Sequence, residues 1–288
     1  MARKSAQSCG AIDAVLRRTR DPRDRRAVAR LAAALSDRDG LARRLAPELA
    51  RIAEGGSAEP RLAGIAQDGT HGVVLHRDAR LTAMLLVVDA DRSEDATIGF
   101  GAGHRLTVFH ASSPVTIERY RCASGPGGRH GFAAGSAPPC RLLGRWTMAA
   151  GDWLMTASEH EAFRIVEAAG PVPLVRVEWR GASPLPARRY RWPGGGYQGM
   201  TMASEADARA QIMVSALRTM ARRDAASAFA SAVESEVFTL RWHAMRAWLA
   251  IDAEAALPAL ARMARSDRHR EVRCAALAAL RLVRPLAA

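Results

Sequence analysis

Three histidines in the middle of this 288-residue chain have the type and spacing that could hold a metal: His104, His110 and His160. Neutral imidazoles ligate iron, zinc and copper, and three of them leave positions open for oxygen or substrate. His104 and His110 are six residues apart. An even spacing puts both on one face if a single strand runs between them. His160 follows Gly151 by nine residues, and Glu118 could add a carboxylate. Together they would make a facial site. The plainer reading puts His104 and His160 in turns and His110 on a strand, partly buried, because neither His104 nor His110 has the compact His-x-His spacing.

Other candidates carry less. His71 and His76 are five apart, the wrong parity for one strand face. Cys122 and His130 suggest a nucleophile pair only loosely, and a half-buried structural thiol is the commoner case. The run GFGAGHR lacks the following helix that a phosphate loop needs. Trp242 and Trp248 share a predicted helix, one expected in the core and one near the surface beside Arg246. RRYRWPGGGY interleaves aromatics with arginine, which could stack on bases, but reads first as linker packing. Four cysteines without a CxxC pair point away from a disulfide scaffold and from a zinc knuckle.

Three kinds of element must position these residues. Residues 10–54 carry Leu31, Ala34 and Leu35, then Leu41, Leu45 and Leu49, at helical spacing. Asp21-Pro22 is the expected helix start and Gly55-Gly56 the stop. From about Gly69 the period changes. GVVLHRD, RLTAMLLVVDA, ATIGFGAGHRLTVFHA, VTIERYRC, RLLGRWTMAAG, DWLMTAS, FRIVEAA and PLVRVEWR are short runs separated by Gly, Ser, Asp and Pro. Short strands with no helical pattern between them predict an antiparallel sandwich or barrel. Residues 181–200 read as a linker. From Ser204 onward helices return and repeat, with Arg209, Arg241 and Arg273 each 32 residues apart.

The stretches Ala96 to Cys122 and Met148 to Arg180 resemble the cupin superfamily, most closely its thiol-dioxygenase-like branch. Gly151-Asp152 looks like the opening of the second cupin motif and VPLVRVEW like its last strand. The resemblance implies an antiparallel barrel and, in the enzymes, iron held by a His-x-His and a third His. In the best register those positions fall on Gly99, Gly101 and Phe163, none of which can ligate. Val272 to Leu280 carries a Val-Arg-x-x-Ala-x-x-Ala-Leu pattern similar to HEAT-like repeats, which implies a small helical solenoid with a partner surface.

Composition narrows the class. Hydrophobic residues make up 49%, enough for a sizeable core. No apolar run reaches the roughly 20 residues of a membrane span, and the first residues lack the apolar core of a signal peptide, so a cytoplasmic location is expected. The net charge of +13 admits a nucleic-acid partner. Of the 42 basic side chains, however, only Lys4 is a lysine, a skew that genome composition explains better. The excess lies on the helical parts flanking the strands. The expected architecture is α+β: an N-terminal helical segment (1–66), a cupin-like antiparallel β-barrel (67–182), a linker (183–202) and HEAT-like repeats (203–288). The expected function is a non-enzymatic binding or scaffold protein without a cofactor. A protein partner would sit on the repeats, a small ligand could sit in the barrel, and nucleic acid and membrane are disfavoured. The alternative is an iron-dependent cupin-type oxygenase acting on a small molecule or peptide, with its site relocated to His104, His110 and His160.

Overall fold

The computed structural model describes residues 12–53, 62–67, 69–90, 96–123, 132–181, 186–202 and 204–283. The N-terminal segment forms a helix over 12–18 (α1), α2 (Arg25–Ser36) and α3 (Arg38–Ala53). The helix expected at Asp21-Pro22 starts later. Residues 21–24 are a turn, and the Asp24 carboxylate caps α2 by accepting the Arg26 and Ala27 amides at 3.0 Å.

Twelve strands follow among the described residues. β1 (Gly64–Gln67), β2 (Thr70–Arg77), β3 (Leu81–Val88), β10 (Val172–Trp179), β5 (His104–Phe109) and β8 (Trp153–Ala157) pair in the order β1-β2-β3-β10-β5-β8. β7 (Arg141–Met148), β6 (Val115–Arg121) and β9 (Glu161–Glu167) form a second sheet. β12 (Tyr197–Thr201), β11 (Ala187–Arg191) and β4 (Thr97–Phe100) form a third. Every pairing is antiparallel. Among the described residues no ladder closes the sheets into a ring, so the expected barrel is a set of facing antiparallel layers.

The stretch read as a linker is sheet. Its Pro and Gly make the hairpin between β11 and β12, with Gly194 and Gly195 at positive φ. Tyr190 of β11 is fully buried against Phe100, ring centroids 5.3 Å apart.

Alternation along β10 and β5 fixes what each face of the large sheet does. Val175, Val177 and Trp179, with Leu106 and Val108, point outward and bury against Leu16, Leu31 and Leu35 of α1 and α2. Full burial of each such side chain stabilises by roughly 1.5–3 kcal/mol. The Trp179 indole donates to the Thr19 carbonyl at 3.0 Å and locks the helices to the sheet. The opposite face turns toward the β7-β6-β9 sheet. There Leu86, Leu174 and Phe109 pack on Val115, Ile117 and Ile165.

The C-terminal helices are α4 (Glu205–Thr219), α5 (Ala226–Ala232), α6 (Phe238–Ile251), α7 (Ala253–Ser266) and α8 (Arg270–Val283). Their core contains Phe229, Trp248 and Leu260, and it takes in Phe132 from the strand region. Trp248 is the core tryptophan of α6, stacked on Phe229. His269 is buried beside Phe238, ring on ring at 3.8 Å, and its Nε2–H donates to the Phe132 carbonyl at 2.7 Å. Its Nδ1 is buried without a partner.

Burial holds the His104, His110, His243 and His269 imidazoles below their ordinary value of 6.5. A lowered folded value means that the unfolded chain takes the proton first as pH falls. Stability is therefore full above pH 6.5 and is lost on the way down, before the carboxylates titrate. Urea unfolding should show a lower midpoint at pH 5.5 than at pH 7.5. His269→Gln, which keeps a donor and cannot titrate, should flatten the difference. An unchanged midpoint in the wild-type chain would contradict this.

Candidate functional site

The histidines do not converge. His104 opens β5 and His110 follows its last residue. The even spacing does put both on one face, as expected, but that face is the outer one, with Leu106 and Val108, under the N-terminal helices. Six residues of strand separate them by about 20 Å. Arg23 and Asp21 of the turn before α2 lie near enough to His104 to act on its charge. Nε2–H of His110 donates to the Leu35 carbonyl at 3.0 Å and ties the end of α2 to the sheet. His160 sits in the turn from β8 to β9, its side chain 41% exposed and 3.8 Å from the Glu159 carboxylate.

Glu118, the candidate fourth ligand, is buried on the other face of β6. There it accepts from the Tyr120 hydroxyl, the Trp192 indole at 2.9 Å and Arg145 at 2.9 Å. Burial alone would push its carboxyl up. The three bonds outweigh that and hold it below the usual carboxylate range. Among the described residues no three His, Cys, Asp or Glu side chains are grouped to hold a metal ion. Placed this way, His104, His110 and His160 do not fit iron.

The positions that the cupin resemblance marks are also non-ligating. A side chain at Gly99 or Gly101 would enter open space, and the Phe163 ring stands 5.9 Å from that of Phe109. Cys122 is buried, with its thiol pushed up by burial. Its proposed partner His130 lies outside the described residues. His76 pairs with Asp78 at 3.3 Å.

The inner face of the large sheet carries polar and charged side chains instead. Cross-strand register lines up two rows. Thr82, Glu178, Arg105 and Thr156 are neighbours across β3, β10, β5 and β8, and Met84, Arg176, Thr107 and Leu154 form the next row inward. Gly103, with φ +79, makes the turn that sets this phase. A Cβ there would lie 2.0 Å from the Trp179 carbonyl oxygen, so only glycine fits.

Arg105 donates to Glu178 at 2.9 Å. Among the described residues Arg176 makes no ion pair of its own, and Glu178 acts on it only as a nearby charge. Its Nε is shut off from solvent without a hydrogen-bond partner, and burial, with the nearby Arg105 charge, pushes the guanidinium down to about 10. The Thr107 hydroxyl, fully buried in the same row, is also unpartnered. From the facing sheet come Phe163 and, paired with it, Arg119, which lies over the Trp146 ring at 5.0 Å and reaches Glu161 at 3.5 Å. Against the outer row of this face lies a cavity of about 400 Å³, lined by Thr82, Met84 and Glu178, by Arg77 and Arg180, and by the first residues of α4. Sequence reasoning missed these groups. The signal was present in PLVRVEWR, where Arg176 and Glu178 alternate with Val175, Val177 and Trp179.

No family model matches the chain, and no curated protein matches it. Solved structures do. Hydroquinone 1,2-dioxygenase PnpCD is 15% identical at a TM-score of 0.27, over 38% of this chain and 64% of that one. Hydroxypropylphosphonic acid epoxidase from S. wedmorenis is 14% identical at 0.28, over 43% and 60%. A mutant of the Bacillus subtilis oxalate decarboxylase OxdC is 10% identical at 0.27, over 45% and 29%. The chain thus spans under two thirds of each. All three are enzymes by name, and the inner face of the large sheet sets a row of polar and charged side chains beside the apolar cluster between the sheets. That runs against the expectation of a non-enzymatic scaffold. The likeness covers less than half of this chain in each case.

Proposed function

We propose that this chain is an enzyme acting on a small organic anion, taken between the sheets against the inner face of β3, β10 and β5. One observation carries the reading: Arg176 is a cation drawn between the sheets with an unpartnered Nε and no ion pair of its own among the described residues, Glu178 acting on it only as a nearby charge. A charge withdrawn from water without a partner costs several kcal/mol, so a fold that keeps one has a use for it. A carboxylate, sulfonate or phosphate group would supply the missing charge and accept from the guanidinium, which presents a planar fork of donors to such groups. The unpartnered Thr107 hydroxyl in the same row offers one more bond. Arg105 is occupied by Glu178 and orients the wall rather than receiving the ligand. Phe109 and Phe163 supply an apolar side for the rest of the molecule.

The test uses paired probes. Phthalate, malonate and phenylphosphonate are compared with their neutral amides or esters by isothermal titration. The anions should bind and the neutral partners should not. Equal binding of both, or of neither, overturns the reading. The bound anions are then incubated with the protein, with and without added Fe(II), and followed by mass spectrometry. Conversion supports an enzyme. Recovery of every bound anion unchanged in both conditions rejects the enzymatic part and leaves a receptor.

A further inference from the structure

A second cavity lies among the C-terminal helices, away from the inner face of the large sheet. It encloses about 410 Å³ between the end of β12, α4, α6 and the start of α8. That volume falls within the range of small-molecule sites. Its walls divide by chemistry. Met200, Phe238, Trp242 and Val272 make an apolar body. Arg246 of α6 and Glu271 of α8 line the same cavity. Among the described residues neither side chain makes an ion pair or a hydrogen bond.

The local sequence explains the arrangement. Thr239, Trp242, His243 and Arg246 fall at i, i+3, i+4 and i+7 on α6, so they share one stripe, and it faces the cavity. The Ser215 hydroxyl and His243 Nε2 are 2.9 Å apart and fasten α4 to α6 behind that stripe. Burial, with the charges of Arg218 and Arg246, holds the His243 imidazole down, so it is neutral near pH 7. It therefore adds no charge to the cavity. What remains is one cation and one anion on opposite helices, both able to reach into an apolar space, and not spent on each other.

We propose that this cavity binds a small apolar zwitterion, an amino acid or dipeptide with an apolar side chain. Its carboxylate would pair with Arg246 and its ammonium with Glu271, while the side chain packs on Trp242 and Phe238. A plain fatty anion would leave Glu271 facing its chain, and a plain amine would leave Arg246 unmatched. Only a ligand with both charges satisfies both groups. This site does not depend on the anion pocket between the sheets.

Isothermal titration with Leu-Phe and with free phenylalanine tests the idea on the full chain. One or both should bind, and which is tighter tells dipeptide from amino acid. Each is compared with its N-acetyl form, which lacks the cation, and its amide, which lacks the anion. Blocking either charge should weaken binding by about tenfold or more, close to 1.4 kcal/mol. Arg246→Ala and Glu271→Ala, each checked for an unchanged circular-dichroism melting curve, should produce the same losses. Should the blocked forms bind as well as the free ones, or should neither zwitterion bind at about 10 mM, the proposal fails. It fails equally if both variants bind like the wild type.

Discussion

Arg176→Met should make this protein more stable and less able to bind anions. The two effects have one cause. In the free protein Arg176 is penalised by burial, its Nε has no hydrogen-bond partner, and the like charge of Arg105 outweighs the opposite charge of Glu178. Methionine fills much of the same space with no charge to desolvate. Replacing buried ionic groups by apolar ones of similar size is commonly neutral or stabilising by about 1–4 kcal/mol. A gain of roughly 1–3 kcal/mol in unfolding free energy is the expected result, read from urea curves with an unchanged slope. Anion binding should fall at least about tenfold, because a hydrogen bond to a charged group contributes about 1.5–3 kcal/mol. Arg105→Met is the control. It strands Glu178, whose side chain is 39% exposed, so it should lower stability slightly, by under about 1 kcal/mol. A variant Arg176→Met that loses stability would show that the guanidinium has a structural partner, and the anion pocket would go with it.

That pocket was legible only in part. The strand pattern from Gly69 to Arg180 gave the antiparallel layers, and the parity of His104 and His110 was right. What parity cannot say is which face is inward. Both faces of β5 read as apolar, Leu106 and Val108 on one and Phe109 on the other, because α1 and α2 cover the outer one. The face that looked like a site was the helix-packed face. A charge on a strand is ordinarily read as solvent-facing, yet Arg176 and Glu178 point between the sheets. The same habit turned β11 and β12 into a linker. Gly and Pro in RWPGGGY mark a hairpin turn as readily as a flexible joint, and only the burial of Tyr190 tells them apart.

The arginine repeat makes the second large prediction. Arg209, Arg241 and Arg273 share a spacing of 32, yet the structure uses them differently. Arg209 is exposed and pairs within its own helix with Glu205. Arg273 reaches the Asp267 carbonyl. Arg241 is buried, with side-chain exposures of 4% for it and 5% for Asp267. It forms a two-pronged pair with that carboxylate at 2.8 and 2.7 Å and also donates to the Ser235 and Glu236 carbonyls at 2.8 and 3.0 Å. It therefore ties the turn before α6 to the turn after α7. Removing one partner of a buried pair leaves the other charge unmet, at about 3–5 kcal/mol. Arg241→Ala should cost that much, and Asp267→Ala nearly as much. The double variant Arg241→Met/Asp267→Leu should recover most of the loss, since no buried charge remains. Arg209→Ala should change stability by less than about 0.5 kcal/mol. Denaturant curves on the four variants decide the matter. If Arg241→Ala and Arg209→Ala cost the same, the repeat spacing reflects a shared helix register alone, and Arg241 is no clasp between the helix pairs.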